Sequence, residues 1–168
     1  LSNWEKKHPD IKILGINKSQ DAQDSVTVLA QNGIKIAVLN YTYGLNGIAL
    51  PSDMPYAVNL LDEEKVKADI ASAKEQSDFV VVCPHWGTEY SLQPDSMEKK
   101  WTKIFAESGA DLVLGTHPHV IEPIERVEDE TTGHQMLVYY SLGNFVNWTS
   151  SSGDGIANRM VGGMAEIT

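Results

Sequence analysis

The sequence predicts an α/β domain: a layered, mixed sheet flanked by helices. Three observations carry that prediction. Two short apolar runs, residues 79–83 and 111–114, have the length and branched content of buried strands. Each follows a stretch with helical apolar spacing, so helix and strand alternate as in layered α/β domains. Turn signals at Asn32-Gly33 and Thr132-Gly133 place a hairpin near each end, which makes the sheet mixed rather than purely parallel.

In chain order, residues 1–10 are polar with Leu1 and Trp4 as packing candidates, and they read as the end of a helix. Residues 11–16 read as a short strand. Residues 21–30 place Val26, Val28 and Ala30 at alternate positions, a half-buried strand that turns at Asn32-Gly33 into a returning strand, 34–39. Residues 41–61 are the longest irregular stretch, with Gly44, Gly47, Pro51, Pro55 and the tyrosines Tyr41, Tyr43 and Tyr56. A loop of that length is either functional or a surface excursion. Residues 61–77 form a helix: Asp62 caps it, Glu63 and Glu64 suit its positive end, and Val66, Ile70 and Ala73 make its apolar stripe. Strand 79–83 follows. Helix 95–108 turns Met97, Trp101, Ile104 and Phe105 inward and ends at Gly109. Strand 111–114, a hairpin of 120–127 with 136–142, and a last strand over 160–168 complete the reading.

The 168 residues suffice for one domain with a hydrophobic core. A net charge of −10 repels phosphate backbones, which excludes nucleic-acid binding without bridging metal and favours a metal cation for holding any anionic substrate. The single cysteine, Cys83, excludes an internal disulfide and reads as a small core residue. No stretch is long and apolar enough to span a membrane, and no signal peptide is visible.

Three motifs follow the apolar runs: Cys83-Pro84-His85-Trp86-Gly87-Thr88-Glu89, Gly115-Thr116-His117-Pro118-His119 and Ser141-Leu142-Gly143-Asn144-Phe145. In open α/β sheets, ligands bind beyond the carboxyl ends of strands, where His85, His117 and His119 are expected. Pro118 biases His117 to an extended backbone, so His117 and His119 would point the same way. Pro84 likewise restrains the delivery of His85. A lone histidine after a strand is ordinarily a hydrogen-bonded structural residue, and His-Pro-His alone is a weak pattern; together, one helix apart, they point to a metal. Three histidines suit zinc, manganese or iron better than magnesium or calcium, as a mononuclear site or part of a dinuclear one. His8 and His134 lack this context and read as exposed loop residues.

At these motifs, and at Asn32-Gly33-Ile34-Lys35-Ile36 leading into Asn40-Tyr41-Thr42-Tyr43-Gly44, the sequence resembles the bacterial capsule synthesis family. These are the CapA-type poly-gamma-glutamate biosynthesis proteins, whose domain is related to calcineurin-like metallophosphoesterases. The resemblance implies a metallophosphoesterase-like fold and a metal-dependent hydrolase with two divalent transition-metal ions (Mn, Fe or Zn). It makes His85, His117 and His119 the C-terminal metal ligands. It implies a site acting on an anionic polymer or phosphoester substrate, alongside capsule-synthesis membrane partners. It also implies a location at the outer face of a bacterial membrane, anchored by an N-terminal segment.

Such proteins carry Gly-Asp, Asn-x-Glu and Asn-His motifs in a region that precedes the part residues 1–168 resemble. Residues 1–168 are therefore expected to be the C-terminal portion of that domain, inactive alone, with an exposed sheet edge open to self-association. Within this frame His117 and Glu89 are the candidate catalytic residues, Glu89 orienting His85 through its second nitrogen. Asn144 and Trp86 are the candidate substrate contacts. Two other readings stand beside the hydrolase: a non-catalytic assembly or export subunit for an anionic surface polymer, and a sugar- or peptide-binding module using Trp86, Trp148 and the loop tyrosines.

Overall fold

The computed structural model describes residues 1–149 and 151–167. Helix α1 (Ser2–Lys7) and a single turn, α2 (Gln20–Gln23), precede a hairpin of β1 (Thr27–Gln31) and β2 (Ile34–Thr42). Helix α3 (Glu63–Gln76), strand β3 (Phe79–His85), helix α4 (Ser96–Ser108) and strand β4 (Leu112–Leu114) follow. The hairpin of β5 (Ile124–Glu128) and β6 (Gln135–Tyr139) and a 3-10 turn at Ile156–Met160 end the chain.

One six-stranded sheet runs β1-β2-β3-β4-β6-β5. β2, β3, β4 and β6 are parallel, and the hairpins contribute antiparallel edges, β1 and β5. The mixed sheet with flanking helices is the architecture the alternation and the two turn signals predict. Positive φ at Asn32 (53°) and Gly33 (84°) is what a two-residue hairpin turn requires.

The core lies between the sheet and α3 with α4. Ala37 and Leu39 of β2 stand in register with Val80 and Val82 of β3, and all four are buried in it. Val66, Ile70 and Ala73 of α3 pack onto that layer, as do Trp101, Ile104 and Phe105 of α4. Asp62 caps α3 by accepting the Lys65 N–H at 2.9 Å. Asp95 caps α4 through the Met97 and Glu98 N–H groups, and Glu98 reaches back to the Asp95 N–H at 2.8 Å, a capping box. Gly109 closes α4 in the left-handed region, φ 90°.

Several expected elements differ. Residues 11–16 form no strand; only Ile16 bridges, to Val58. The stretch 21–30 is split, because Ser19 caps the α2 turn and extended backbone starts at Thr27. Ala30 is exposed at the edge rather than half-buried. The continuous ladder of β5 begins at Ile124, and the hairpin expected from residue 120 is extended by a single antiparallel bridge from Ile121 to Leu142. In place of a strand over 160–168, Gly162 makes one bridge to Gly143, and Thr168 lies outside the described residues. His134 is no free surface residue: its Nε2 is 2.7 Å from the Ala110 carbonyl. No helix among the described residues is long and apolar enough to cross a membrane.

Candidate metal centre

His85 is delivered by the sheet itself. β3 does not stop at Cys83 but continues through Pro84 to His85, pairing Tyr41 with Pro84 and Thr42 with His85. The Tyr43 N–H donates to the His85 carbonyl at 3.0 Å. Side chains alternate along an extended strand, so His85 is exposed while the next residue, Trp86, is fully buried. That alternation overturns Trp86 as a substrate contact. Its indole packs on Phe105 and Tyr140, and its Nε1–H donates to the Tyr140 carbonyl at 3.0 Å.

His117 and His119 arrive from the turn after β4. The Thr116 N–H donates to the Pro84 carbonyl and the Trp86 N–H to the Thr116 carbonyl, both at 3.0 Å, which zips this turn to the end of β3. The extended backbone expected before Pro118 is absent: His117 has φ 108° and His119 φ 62°. Tyr90, whose N–H donates to the Pro118 carbonyl at 2.7 Å, is also left-handed, φ 65°. Three non-glycine residues in that region mark stored backbone strain of about 1–3 kcal/mol each, of the kind that gathers at functional sites.

The imidazoles nevertheless converge. The ring of His117 lies 4.6 Å from that of His85 and 5.9 Å from that of His119. Ligand-type atoms of Glu89, His117 and His119 all lie within 4.8 Å of one another. The carboxylate thus gathers with His117 and His119 rather than serving His85, whose Nδ1 instead sits 3.4 Å from the Thr116 hydroxyl.

Asn144 has a role different from the expected substrate contact. Its Nδ2 donates to the carbonyls of His119 and Arg159, both at 3.0 Å, which turns its Oδ1 to His119 Nδ1 at 2.8 Å. Oδ1 only accepts, so Nδ1 carries the proton and the Nε2 lone pair of His119 is free. This is the outer-shell support that metal-ligating histidines have. Desolvation holds His85 below the usual histidine pKa, with repulsion from His117 and His119 adding to it. Desolvation also lowers His117, opposed by the Glu89 carboxylate and assisted by His119. Both rings are therefore neutral donors at neutral pH, and the donor set fits a divalent transition metal.

Sequence reasoning named Tyr43 among the loop tyrosines but missed two neighbours, Tyr90 and Arg159. Tyr43 stacks on His85 at 6.2 Å and tilts over His117 at 5.1 Å, so the long loop does contribute to the site. Tyr90 faces His119 at 5.8 Å. Arg159 covers Tyr90, its guanidinium carbon 3.6 Å from the ring centroid. Tyr90 adjoins Glu89 and was findable; Arg159 lies far along the chain with no motif around it.

A parallel-centred α/β sheet places a histidine-carboxylate cluster beyond the carboxyl ends of β3 and β4, a donor set of the kind that can hold a metal ion. The chain belongs to the bacterial capsule synthesis protein family: the family model "Bacterial capsule synthesis protein PGA_cap" matches residues 1–149. It is 37% identical to the PGA biosynthesis protein CapA of Bacillus subtilis (strain 168), over 89% of this chain and 38% of that protein. It is 28% identical to the capsule biosynthesis protein CapA of Bacillus anthracis, over 85% of this chain and 35% of that protein. The chain thus spans well under half the length of these relatives. Among solved structures, Haemophilus influenzae NAD nucleotidase (NadN) is similar over 82% of this chain and 30% of its own, at 10% identity and a TM-score of 0.44.

Proposed function

We propose that this chain contributes the C-terminal ligands of a metal-dependent, phosphoesterase-like hydrolase site used in capsule polymer biosynthesis. The observation that carries the reading is the convergence of Glu89, His117 and His119 within 4.8 Å, with the proton of His119 fixed on Nδ1 by Asn144. His117, His119 and Glu89 would hold the metal, and His85, neutral and beside His117, adds a fourth donor. A bound divalent cation supplies Lewis-acid polarisation of the group to be cleaved. The chain's own residues orient it: Asn144 sets the tautomer of His119, Thr116 sits at His85 Nδ1, and Tyr43 walls the His85–His117 pair. An anionic polymer or phosphoester is the substrate class, since a bound divalent cation offsets locally a protein charge of −10. The outer face of a bacterial membrane, with membrane-bound synthesis partners, is the setting that the relatives' roles in capsule and PGA biosynthesis favour.

The test uses the gene product in full. Elemental analysis after purification should find Mn, Fe or Zn, and hydrolysis of generic phosphoesters should depend on it. His117→Ala should lose both metal and activity, and Asn144→Ala should weaken metal affinity by about 10- to 100-fold. Undiminished activity in His117→Ala, or a folded wild-type protein without metal, sinks the hydrolase in favour of an assembly or export role.

A further inference from the structure

Arg159 stands outside the ligand cluster yet is tied to it. Its carbonyl accepts from Asn144 Nδ2 at 3.0 Å and from Asn147 Nδ2 at 2.8 Å. The 3-10 turn that carries it is therefore anchored on the residue that orients His119. Its guanidinium carbon lies over Tyr90, 3.6 Å from the ring centroid. A cation–π contact of this kind uses the charge of the guanidinium and none of its N–H donors. Arg159 Nε is buried and has no hydrogen-bond partner among the described residues. None of their carboxylates pairs with the guanidinium, although the chain carries 23 acidic residues.

A pocket of about 290 Å³ opens at this point, lined by Arg159, Tyr90, His119, Asn144, Asn147 and Trp148. One wall is thus a cation with no ion-pair partner among the described residues, and another is a histidine of the ligand cluster. A guanidinium with free donors is matched to a planar or tetrahedral oxyanion, which it can bind through two parallel hydrogen bonds.

We infer that Arg159 is an anion-binding residue that receives a carboxylate or phosphate group of the ligand in the pocket beside His119. The inference rests on the preceding reading only for the chemistry next door: the pocket and its cation exist whatever His119 holds. Because the backbone of Arg159, not its side chain, makes the structural hydrogen bonds, the side chain can be exchanged without removing them.

The experiment measures binding of two probes, inorganic phosphate and a short γ-linked oligoglutamate, by calorimetry. It compares the full gene product with its Arg159→Met and Arg159→Lys variants, metal content being recorded for each. Arg159→Met should weaken the probe that the pocket takes by about tenfold or more, as expected for losing a charge-assisted pair. Arg159→Lys should fall between, keeping charge but losing the fork. Metal content should not change. A loss confined to the oligoglutamate identifies a carboxylate ligand; a loss confined to phosphate identifies a phosphate one. Equal binding in wild type and Arg159→Met, binding of neither probe by wild type, or loss of metal together with binding in Arg159→Met would each overturn the inference. A metal-free wild type with Arg159-dependent binding defeats only the hydrolase reading, so the two failures are distinguishable.

Discussion

Replacing Glu122 by glutamine probes a feature that lies under the site rather than in it. Glu98 is fully buried in the first turn of α4, and Glu122, just before β5, is 3% exposed. One Glu98 oxygen takes the Asp95 N–H; the other, and both oxygens of Glu122, are buried without a partner among the described residues. Glu98 lies against Gly87, where a Cβ would come within 2.6 Å of its carboxyl carbon. Two carboxylates cannot both stay ionised in such a place. Burial is the main cause that pushes Glu122 up to about 8, followed by the neighbouring Glu98 carboxyl and then the charge of Asp95. Burial also raises Glu98, against the pull of the Asp95 N–H.

The sign follows from linkage. The folded protein holds this proton more tightly than the unfolded chain, whose Glu titrates near 4.5. The stabilising contribution is complete below about pH 4.5 and is lost as pH rises through about 8. At about 1.4 kcal/mol per unit, Glu122 alone loses about 2 to 3 kcal/mol between pH 5 and pH 7. The amide of the Glu122→Gln variant does not titrate, so the stability of wild type minus that of the variant should fall by this amount. His85 and His117, with lowered values, work in the opposite direction, favouring higher pH, but they are common to both proteins and cancel. Urea unfolding followed by the buried Trp86 and Trp101 measures it. With a slope of about 2 kcal/mol/M, the midpoint difference should move by about 1 M across that window. A difference that stays constant or grows from pH 5 to pH 8 refutes a shared buried proton.

Two further outcomes follow from burial. Gly115→Ala places a Cβ 1.9 Å from the Tyr140 carbonyl and 2.5 Å from Trp86 Nε1, and backbone cannot yield as a flexible side chain does; thermal unfolding should show a loss of about 3 kcal/mol with a changed near-ultraviolet tryptophan signal. The half-buried Cys83 thiol is pushed up to about 11 by desolvation, so at pH 8 its labelling by a thiol reagent should be about 100-fold slower in the native protein than in urea.

Most of the sheet was legible because its strands are buried and therefore apolar. Residues 79–83 and 111–114 had no other place to go, and Val66, Ile70 and Ala73 lie in the core as their spacing requires. The ends were not legible. Residues 11–16 and 160–168 are apolar enough for strands, but a strand needs a partner with matching register, and pattern cannot supply one. Trp86 was misjudged for a related reason: aromatic character beside a histidine suggests a binding surface, whereas strand alternation from the exposed His85 sends the next side chain inward. That signal was present and outranked motif proximity. The roles of Asn144 and Arg159 depend on hydrogen bonds spanning 25 and 15 residues, and no local pattern encodes those.

The backbone at His117 is where local preference and tertiary structure conflict, and the conflict itself is informative. Pro118 favours an extended residue before it, yet His117 sits at φ 108° with His119 and Tyr90 also at positive φ. Such conformations persist only when surrounding bonds over-determine them. Here the turn is pinned on both flanks: Thr116 to Pro84 and Trp86 to Thr116 on one side, Tyr90 to Pro118 and Asn144 to the His119 carbonyl on the other. The strained conformation accompanies the gathering of the imidazoles of His117 and His119, two positions apart in one turn, with Glu89 within 4.8 Å. Strain maintained at several kcal/mol for that geometry argues that the cluster, rather than the turn, is what the structure is built to hold.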